Sequence, residues 1–222
     1  MTTRKQKEKV SEMDRGELET LITRIVQSAT KTITDTLHSL HDEVISLKEE
    51  LKEKDEIIQE LEARLDSKVD ELEQYGRRNN LRIFGVKERE GECTDDIVLT
   101  VASKMDVTFD RSVIDRSHRI GAKGSENRPR PIIVKFVSYA HRSQMFRAKK
   151  NLKGSNITVR EDLTRERLKV LKGAASAYGV KKVWSIDGVI KVKVGERSAP
   201  ISVRNKQQLD SLLQKHPPAT SY

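Results

Sequence analysis

Residues 26–75 decide the fold, and they read VQSATKTITDTLHSLHDEVISLKEELKEKDEIIQELEARLDSKVDELEQY. Apolar side chains recur in this stretch at alternating spacings of four and three residues, which is the heptad pattern of a coiled-coil helix. With Leu37 at position a, the a and d positions continue through successive heptads to Leu72 without a proline. Such a helix is about 75 Å long at 1.5 Å per residue, and no other segment is long enough to cover its apolar seam. The seam therefore predicts association with another chain.

The seam has a mixed composition, which leaves the number of associating chains open. Leucine, isoleucine and valine at position a do not separate a dimer from a trimer, and lysines at two d positions, Lys54 and Lys68, disfavour burial in either. A long surface helix folded against its own globular domain is the alternative, and uncapped heptads of this length argue against it. The residues predicted to pair between chains are Leu37, Leu40, Val44, Leu47, Leu51, Ile58, Leu61, Leu65 and Leu72.

The charge changes sign where the heptads end. Up to residue 75 the chain has 12 Lys and Arg against 19 Asp and Glu, and beyond it 31 against 15, for a net charge of +9. A basic region of this kind is typical of a protein that binds a polyanion, with nucleic acid first and anionic membrane second. Membrane is the weaker choice because no long apolar run, hydrophobic signal core or lipidation motif is present. The protein is expected to be soluble and intracellular, and its one cysteine, Cys93, excludes an intramolecular disulfide.

The pattern beyond residue 75 predicts strands and helices in the order β-α-β-β-α-β. The predicted strands cover 81–86, 113–120, 131–137 and 156–160, with helices over 95–105 and 139–150 between them. This is the ferredoxin-like order of RNA-recognition domains. The sequence thus predicts an α+β protein whose coiled-coil helix precedes a ferredoxin-like domain.

A second small unit is predicted to follow. Either Asp162 or Thr164 can cap a helix that runs to about Tyr178, and Asp187-Gly188 is a strong hairpin signal between strands over 180–186 and 189–194. A strand over 201–203 and a helix over 205–213 complete this unit. The predicted division is a disordered basic tail over 1–16, the coil over 17–75, the RNA-recognition-like domain over 76–161, a C-terminal αββα-type domain over 162–214 and a tail over 215–222.

No pattern of residues predicts catalysis. The chain has no G-x-S-x-G elbow, no phosphate-binding P-loop and no pair of cysteines for zinc. His38 and His41 are interpreted as solvated residues beside the seam, and Asp95-Asp96 as favourable charge on the first turn of a helix. We therefore expect a protein that is not an enzyme and needs no metal or cofactor.

Basic side chains are the informative feature of the globular part. Arg116, Arg119, Arg130 and Lys135 fall on or beside two predicted neighbouring strands, so they are expected to line one face of the sheet and hold a phosphate backbone. Arginine also stacks on bases, which suits single strands. The residues predicted to contact nucleic acid are Arg77, Arg78, Arg82, Arg116, Arg119, Arg128, Arg130, Lys135, Lys153 and Arg160.

The aromatic part of such a site is sparse. RNA-recognition domains stack bases on aromatic side chains of the central strands, whereas here the third strand offers only Phe136 and the first strand only Phe84. Both phenylalanines are interpreted as core residues. Binding is therefore expected to depend mainly on phosphate contacts, with low sequence preference and steep salt dependence.

Five motifs follow the heptads in a fixed order. They are YGRRNNLRI at 75–83, DRSHRIG at 115–121, RPRPIIVKF at 128–136, LKG at 152–154 and REDLT at 160–164. Over about residues 37–212, the coil and these motifs closely resemble the first-open-reading-frame protein of LINE-1-type non-LTR retrotransposons.

This resemblance implies a homotrimeric coiled coil, an atypical RNA-recognition domain and a small C-terminal domain that jointly bind single-stranded RNA or DNA. It implies nucleic-acid chaperone activity and packaging of the element's RNA into a ribonucleoprotein. By position it places Arg116, Arg119, Arg130 and Lys135 on the sheet face and Arg160 at the seam between the globular domains. The expected location is cytoplasmic ribonucleoprotein particles, with the nucleus as a second candidate.

Other functions remain as alternatives. A basic-zipper transcription factor needs its basic region before the coil, and here the arginine cluster follows it. A structural coiled-coil adaptor would bind an acidic protein in a salt-insensitive way and carry no RNA. A domesticated RNA-binding protein without transposition activity would have the same sequence features.

Overall fold

The computed structural model describes residues 14–122, 129–195 and 197–218. The protein is α+β: a long helix, α1 (Arg15–Gly76), is followed by a region that contains two sheets. The chain divides between Arg64 and Leu65 into two compact units. The long helix predicted over 17–75 is confirmed. Of the predicted tails over 1–16 and 215–222, the structure describes only 14–16 and 215–218, and Arg15 and Gly16 already belong to α1.

Helix α1 leaves its apolar seam in water. The nine seam residues predicted to pair between chains are all exposed, from 46% at Val44 to 72% at Leu72. A continuous exposed apolar row is uncommon on a monomer. Association of chains through this seam stays a prediction, and burial of the row would be its driving force.

Every helix within the described ranges is too short or too polar to cross a lipid bilayer.

The first sheet has four antiparallel strands in the order β2-β3-β1-β4. Helices α2 and α3 pack on one of its faces, where the core includes Ile83, Val134, Phe136, Val98 and Met145. Burial alternates along the strands, as expected for a sheet with one covered face. The elements are β1 (Asn80–Phe84), α2 (Thr94–Ser103), β2 (Ile114–Arg119), β3 (Ile132–Phe136), α3 (Tyr139–Ala148) and β4 (Thr158–Glu161), with 3-10 turns at Arg111–Val113 and Lys149–Leu152.

The C-terminal elements form a second core. Of the two cap candidates, Thr164 accepts a hydrogen bond from the Arg167 amide at 3.2 Å and thus caps the next helix. Asp187 and Gly188 have φ values of 51° and 75°, as a tight two-residue hairpin turn requires. The elements are α4 (Arg165–Tyr178), a 3-10 turn at Val180–Lys182, β5 (Val183–Ile186), β6 (Val189–Val192), β7 (Ile201–Val203) and α5 (Lys206–Lys215).

Each strand and helix predicted from the sequence is present, with ends that differ by a few residues. The second sheet has the order β5-β6-β7 and packs with α4 and α5 around Ile190, Val192 and Val203. These three residues are at most 1% exposed. The predicted α+β class is therefore confirmed.

Candidate nucleic-acid interface

The face of the first sheet that α2 and α3 leave uncovered is called here the open sheet face. Its members follow from the strand register, because residues opposite each other on neighbouring strands point to the same side. Arg160, Arg82, Ile133 and His118 form one row across the four strands. The open sheet face consists of Asn80, Arg82 and Phe84 on β1, Arg116 and His118 on β2, Ile133 and Lys135 on β3, and Thr158 and Arg160 on β4.

A β-bulge at Asp115 places Arg116 on this face. Ile114 pairs with Phe136 and is buried, whereas Arg116 pairs with Lys135, so the register shifts between them. The extra residue of a bulge turns the following side chain to the other side of the sheet. Arg116 is exposed and stands directly opposite Lys135, so these two residues share one face of the sheet, as the sequence predicted.

The prediction that Arg119 lies on the same face is wrong. Arg119 pairs with Ile132, whose side chain is in the core, and the Arg119 side chain is only 5% exposed. Its guanidinium donates to Glu92 at 2.7 and 3.1 Å and to the carbonyls of Val86 at 2.8 Å and Arg130 at 2.6 Å. Residues three apart on a regular strand point to opposite sides, so Arg116 and Arg119 cannot share a face. Arg119 holds loops together.

Arg130 is also engaged within the protein. It precedes β3, which begins at Ile132. Its guanidinium donates to one carboxylate oxygen of Glu88 at 2.9 and 3.1 Å, and its backbone amide donates to the other at 2.6 Å. The Arg130 hydrogen bond lowers the pKa of Glu88 below its ordinary value. The expected position of Arg130 on the sheet face is therefore wrong, and Arg128 lies outside the described residues.

Lys135 keeps an ion pair that a ligand can replace. Its Nζ lies 2.9 Å from Asp115, and the two side chains are 39% and 43% exposed. This contact lowers the pKa of Asp115. Exposed pairs contribute little to stability, so a phosphate can compete with Asp115 for the ammonium group.

Arg82 and Arg160 face each other on β1 and β4. Like charges opposite one another repel, and Asp162 compensates the charge of Arg82 at 2.6 Å. The Arg160 guanidinium lies 5.5 Å from the ring centroid of Phe84. Within the described residues, Arg160 and Phe84 therefore offer one uncompensated positive charge and one phenyl ring at the same end of the open sheet face.

The interpretation of both phenylalanines as core residues holds for only one of them. Phe136 is fully buried, whereas Phe84 pairs with Thr158 and belongs to the open sheet face. The sequence alternation Leu81, Ile83 marks the buried side of β1 and could have identified Phe84 as the other side. The structure thus provides an aromatic group that a base can stack on.

The remaining predicted residues lie at the edge of this region. Arg77, after the end of α1, donates to Glu73 at 2.6 Å and to Asp162 at 3.2 Å. The Arg78 guanidinium lies 3.9 Å from the ring centroid of Tyr75. Lys153 is exposed in the turn before β4, outside the open sheet face.

Asp162 has a role that the sequence did not predict, since the sequence marked it only as a candidate helix cap. Its side chain is 2% exposed and accepts from Arg77, Arg82 and Asn80. A buried carboxylate needs such partners, so Asp162 joins the end of α1 to the first sheet. The Asp-Leu-Thr sequence gives no signal for this, because all three donors lie about 80 residues earlier.

The Glu92 contact predicts how stability depends on pH. The Arg119 hydrogen bond lowers the pKa of Glu92, so this contact stabilises the fold above the unfolded pKa of about 4.3 and is lost as the pH falls through the lower folded pKa. We expect urea midpoints to fall between about pH 5 and pH 3, and the Glu92→Gln variant to be less stable at pH 6 and less pH-dependent. Equal pH slopes for the two proteins would contradict this assignment.

The described residues contain no cluster of metal-ligating side chains. What they present is a sheet surface with a guanidinium or ammonium group on each of its four strands, the half-buried ring of Phe84 and the exposed imidazole of His118. This chemistry suits a flexible polyanion with exposed bases. Neither a scan against protein-family models nor a search of the curated proteins finds a match for this chain.

Proposed function

We propose that this protein binds single-stranded nucleic acid, RNA above all, on the open sheet face, and that α1 joins several copies. The observation that carries the proposal is the side-by-side placement of Arg82, Arg116, Lys135 and Arg160 with Phe84 on the uncovered side of the sheet. Cations attract the phosphates and the ring can stack on a base.

The proposed fold of the first sheet region is ferredoxin-like, of the RNA-recognition type. Its support is the element order β1-α2-β2-β3-α3-β4 together with the antiparallel strand order β2-β3-β1-β4. Domains with this arrangement bind single strands on the sheet face that the helices leave free. The open sheet face is the corresponding surface here.

The proposed binding mode relies on phosphate contacts more than on base recognition. Neighbouring strands are about 4.8 Å apart, so Arg160 and Arg82 on one side and Lys135 and Arg116 on the other can follow a backbone that crosses the sheet. Within the described residues, the face carries the ring of Phe84 and the imidazole of His118, and no tyrosine or tryptophan. Low sequence preference and strong salt dependence follow from this balance.

The proposed oligomer forms through the seam of α1. The same coiled coil is one of the features that support a retrotransposon origin. A coiled coil followed by this type of domain and a small C-terminal unit is what the resemblance to LINE-1-type first-open-reading-frame proteins implies. We propose that the protein packages RNA into ribonucleoprotein particles and acts as a nucleic-acid chaperone. A domesticated descendant of such a protein would still bind RNA but would have no transposition activity.

Replacing Arg116 tests the open sheet face. Arg116→Ala is expected to reduce the slope of log affinity against log salt by about 0.7 for a single strand, because one phosphate contact is lost. Arg147→Ala is the matched control, since Arg147 is an exposed arginine on α3, on the covered side of the sheet. The measurement is fluorescence anisotropy with a long single-stranded RNA over a salt series, with duplex DNA of equal length alongside.

The outcomes separate the proposed functions. Tight, steeply salt-dependent binding that favours the single strand and weakens with Arg116→Ala alone supports the open sheet face. Equal slopes for both variants would remove Arg116 from the interface. An absence of binding at physiological salt would favour the adaptor function, in which α1 is the main interaction element.

A further inference from the structure

A second charged site lies beside the open sheet face, because Asp162 in its wall accepts from Arg82 and Asn80 of that face. It is a cavity of about 500 Å³ within the unit that begins at Leu65, between the last turns of α1, the first turn of α3, the start of α4 and the β5-β6 turn. Five arginines contribute to its wall: Arg77, Arg78, Arg142, Arg167 and Arg204. We call it the arginine cavity.

Three of these arginines are neutralised by carboxylates. Arg77 is bonded to Asp162, Arg142 to Glu161, and Arg167 to Asp70 at 2.7 Å. The side chains of Arg142 and Arg167 are 4% and 5% exposed, so these pairs belong to the framework of the wall. They shape the cavity without supplying free charge.

The other two arginines supply that charge. In the part of the chain that the structure describes, the guanidinium groups of Arg78 and Arg204 make no hydrogen bond, and both residues are exposed. The Arg78 guanidinium lies 3.9 Å from the ring centroid of Tyr75, and Arg204 directly follows β7. Their N–H groups are therefore available to an acceptor from solvent.

Each acidic side chain of the wall accepts at least one hydrogen bond, and the Lys68 contact and the charge of Arg204 both lower the pKa of Glu71. Glu71 accepts from Lys68 at 2.9 Å, and Asp187 accepts from the Tyr139 hydroxyl at 2.7 Å as well as from Arg142. The buried Nε of Arg142 has no acceptor among the described residues, which leaves the wall richer in donors than in acceptors. An acceptor with several oxygen atoms and negative charge would match this excess.

We propose that the arginine cavity binds a phosphate group through Arg78 and Arg204. Guanidinium groups present paired donors that fit phosphate oxygens, and the cavity is large enough for the group and its first waters. The inference rests on the proposed function only for the source of the phosphate, which is either a nucleic-acid strand that continues beyond the sheet or a free phosphate compound.

Thermal unfolding of the full chain with inorganic phosphate tests the cavity without RNA. At saturating phosphate, relative to sodium chloride of equal ionic strength, we expect the melting temperature to rise by about 3–5 °C. Arg204→Gln should lose most of this rise. Arg197→Gln removes an exposed arginine that does not line the cavity, and should keep it. A wild-type protein without the rise, or equal rises in all three proteins, would overturn the phosphate site.

Short single-stranded oligonucleotides, with and without a 5′ phosphate, identify the source. If a strand supplies the phosphate, Arg204→Gln should reduce the salt slope by about 0.7, and a preference for the 5′-phosphorylated oligonucleotide would identify a terminal group. An unchanged slope with a lost thermal effect would identify free phosphate. If RNA binding depends on Arg116 while Arg204→Gln changes neither the thermal shift with phosphate nor the salt slope, the phosphate site is rejected and the proposed function stands. A thermal effect without any RNA binding would reject the proposed function alone.

Discussion

Replacing Arg119 with alanine is expected to lower the free energy of unfolding by about 3–5 kcal/mol, the usual result of breaking a buried ion pair. The side chains of Arg119 and Glu92 are 5% and 14% exposed. The substitution removes a donor from the Glu92 carboxylate and from the carbonyls of Val86, Lys87 and Arg130. Buried acceptors that lose their donor are costly, so the loop before α2 and the start of β3 would both loosen.

Urea unfolding followed by circular dichroism measures this effect, and Arg116→Ala provides the control. Arg116 is three residues earlier on the same strand, is exposed and removes the same charge, but it should change stability by less than about 0.5 kcal/mol. The two variants thus separate a structural arginine from one predicted to contact nucleic acid. Equal stabilities would show that the Arg119 contacts contribute little to the fold.

Deleting residues 1–64 is expected to weaken binding to a long single-stranded RNA by about 10²–10⁴-fold, while binding to an oligonucleotide that fills one site changes little. The reason is that joined copies bind a long strand at several sites at once, and each bound site raises the effective concentration of the next. The deletion removes most of the seam of α1 and leaves the open sheet face intact. Titrations with RNA lengths from one site to several sites measure the effect.

The position of the cut matters, because the last turns of α1 belong to the globular unit. The side-chain amide of Gln74 donates to the backbone carbonyl of Asp162 at 3.1 Å and accepts from the backbone amide of Thr164 at 3.0 Å. The Asp70 carboxylate accepts from the Arg167 guanidinium. The compact unit begins at Leu65. A deletion at the sequence-based boundary of 75 would remove these contacts and destabilise the protein.

Two results would contradict the role of α1 in multivalent binding. If long and short RNA lose affinity equally after the deletion, then the copies do not act together. If the full chain sediments as a monomer at the concentrations used for binding, then the seam does not join copies. A melting curve of the shortened protein should accompany both measurements, with a single transition close to that of the full chain.

The sequence determined the large-scale organisation of this protein. The heptads predicted the long helix within a residue or two of its ends, the alternation of apolar residues predicted the strands, and Asp187-Gly188 predicted the hairpin. These features depend on interactions between near neighbours in the chain, such as helix periodicity and turn chemistry. Such interactions can be read from the residue order alone.

The tertiary structure decided which charged residues are free. From sequence, Arg116 and Arg119 were equivalent, but a bulge at Asp115 and the loop that carries Glu92 give them opposite environments. Asp162 gained its role because donors from α1 and β1 converge on it. Whether an arginine binds a ligand or a neighbouring carboxylate depends on contacts between residues far apart in the sequence. The residue order specifies the charge, and only the folded chain determines what that charge touches.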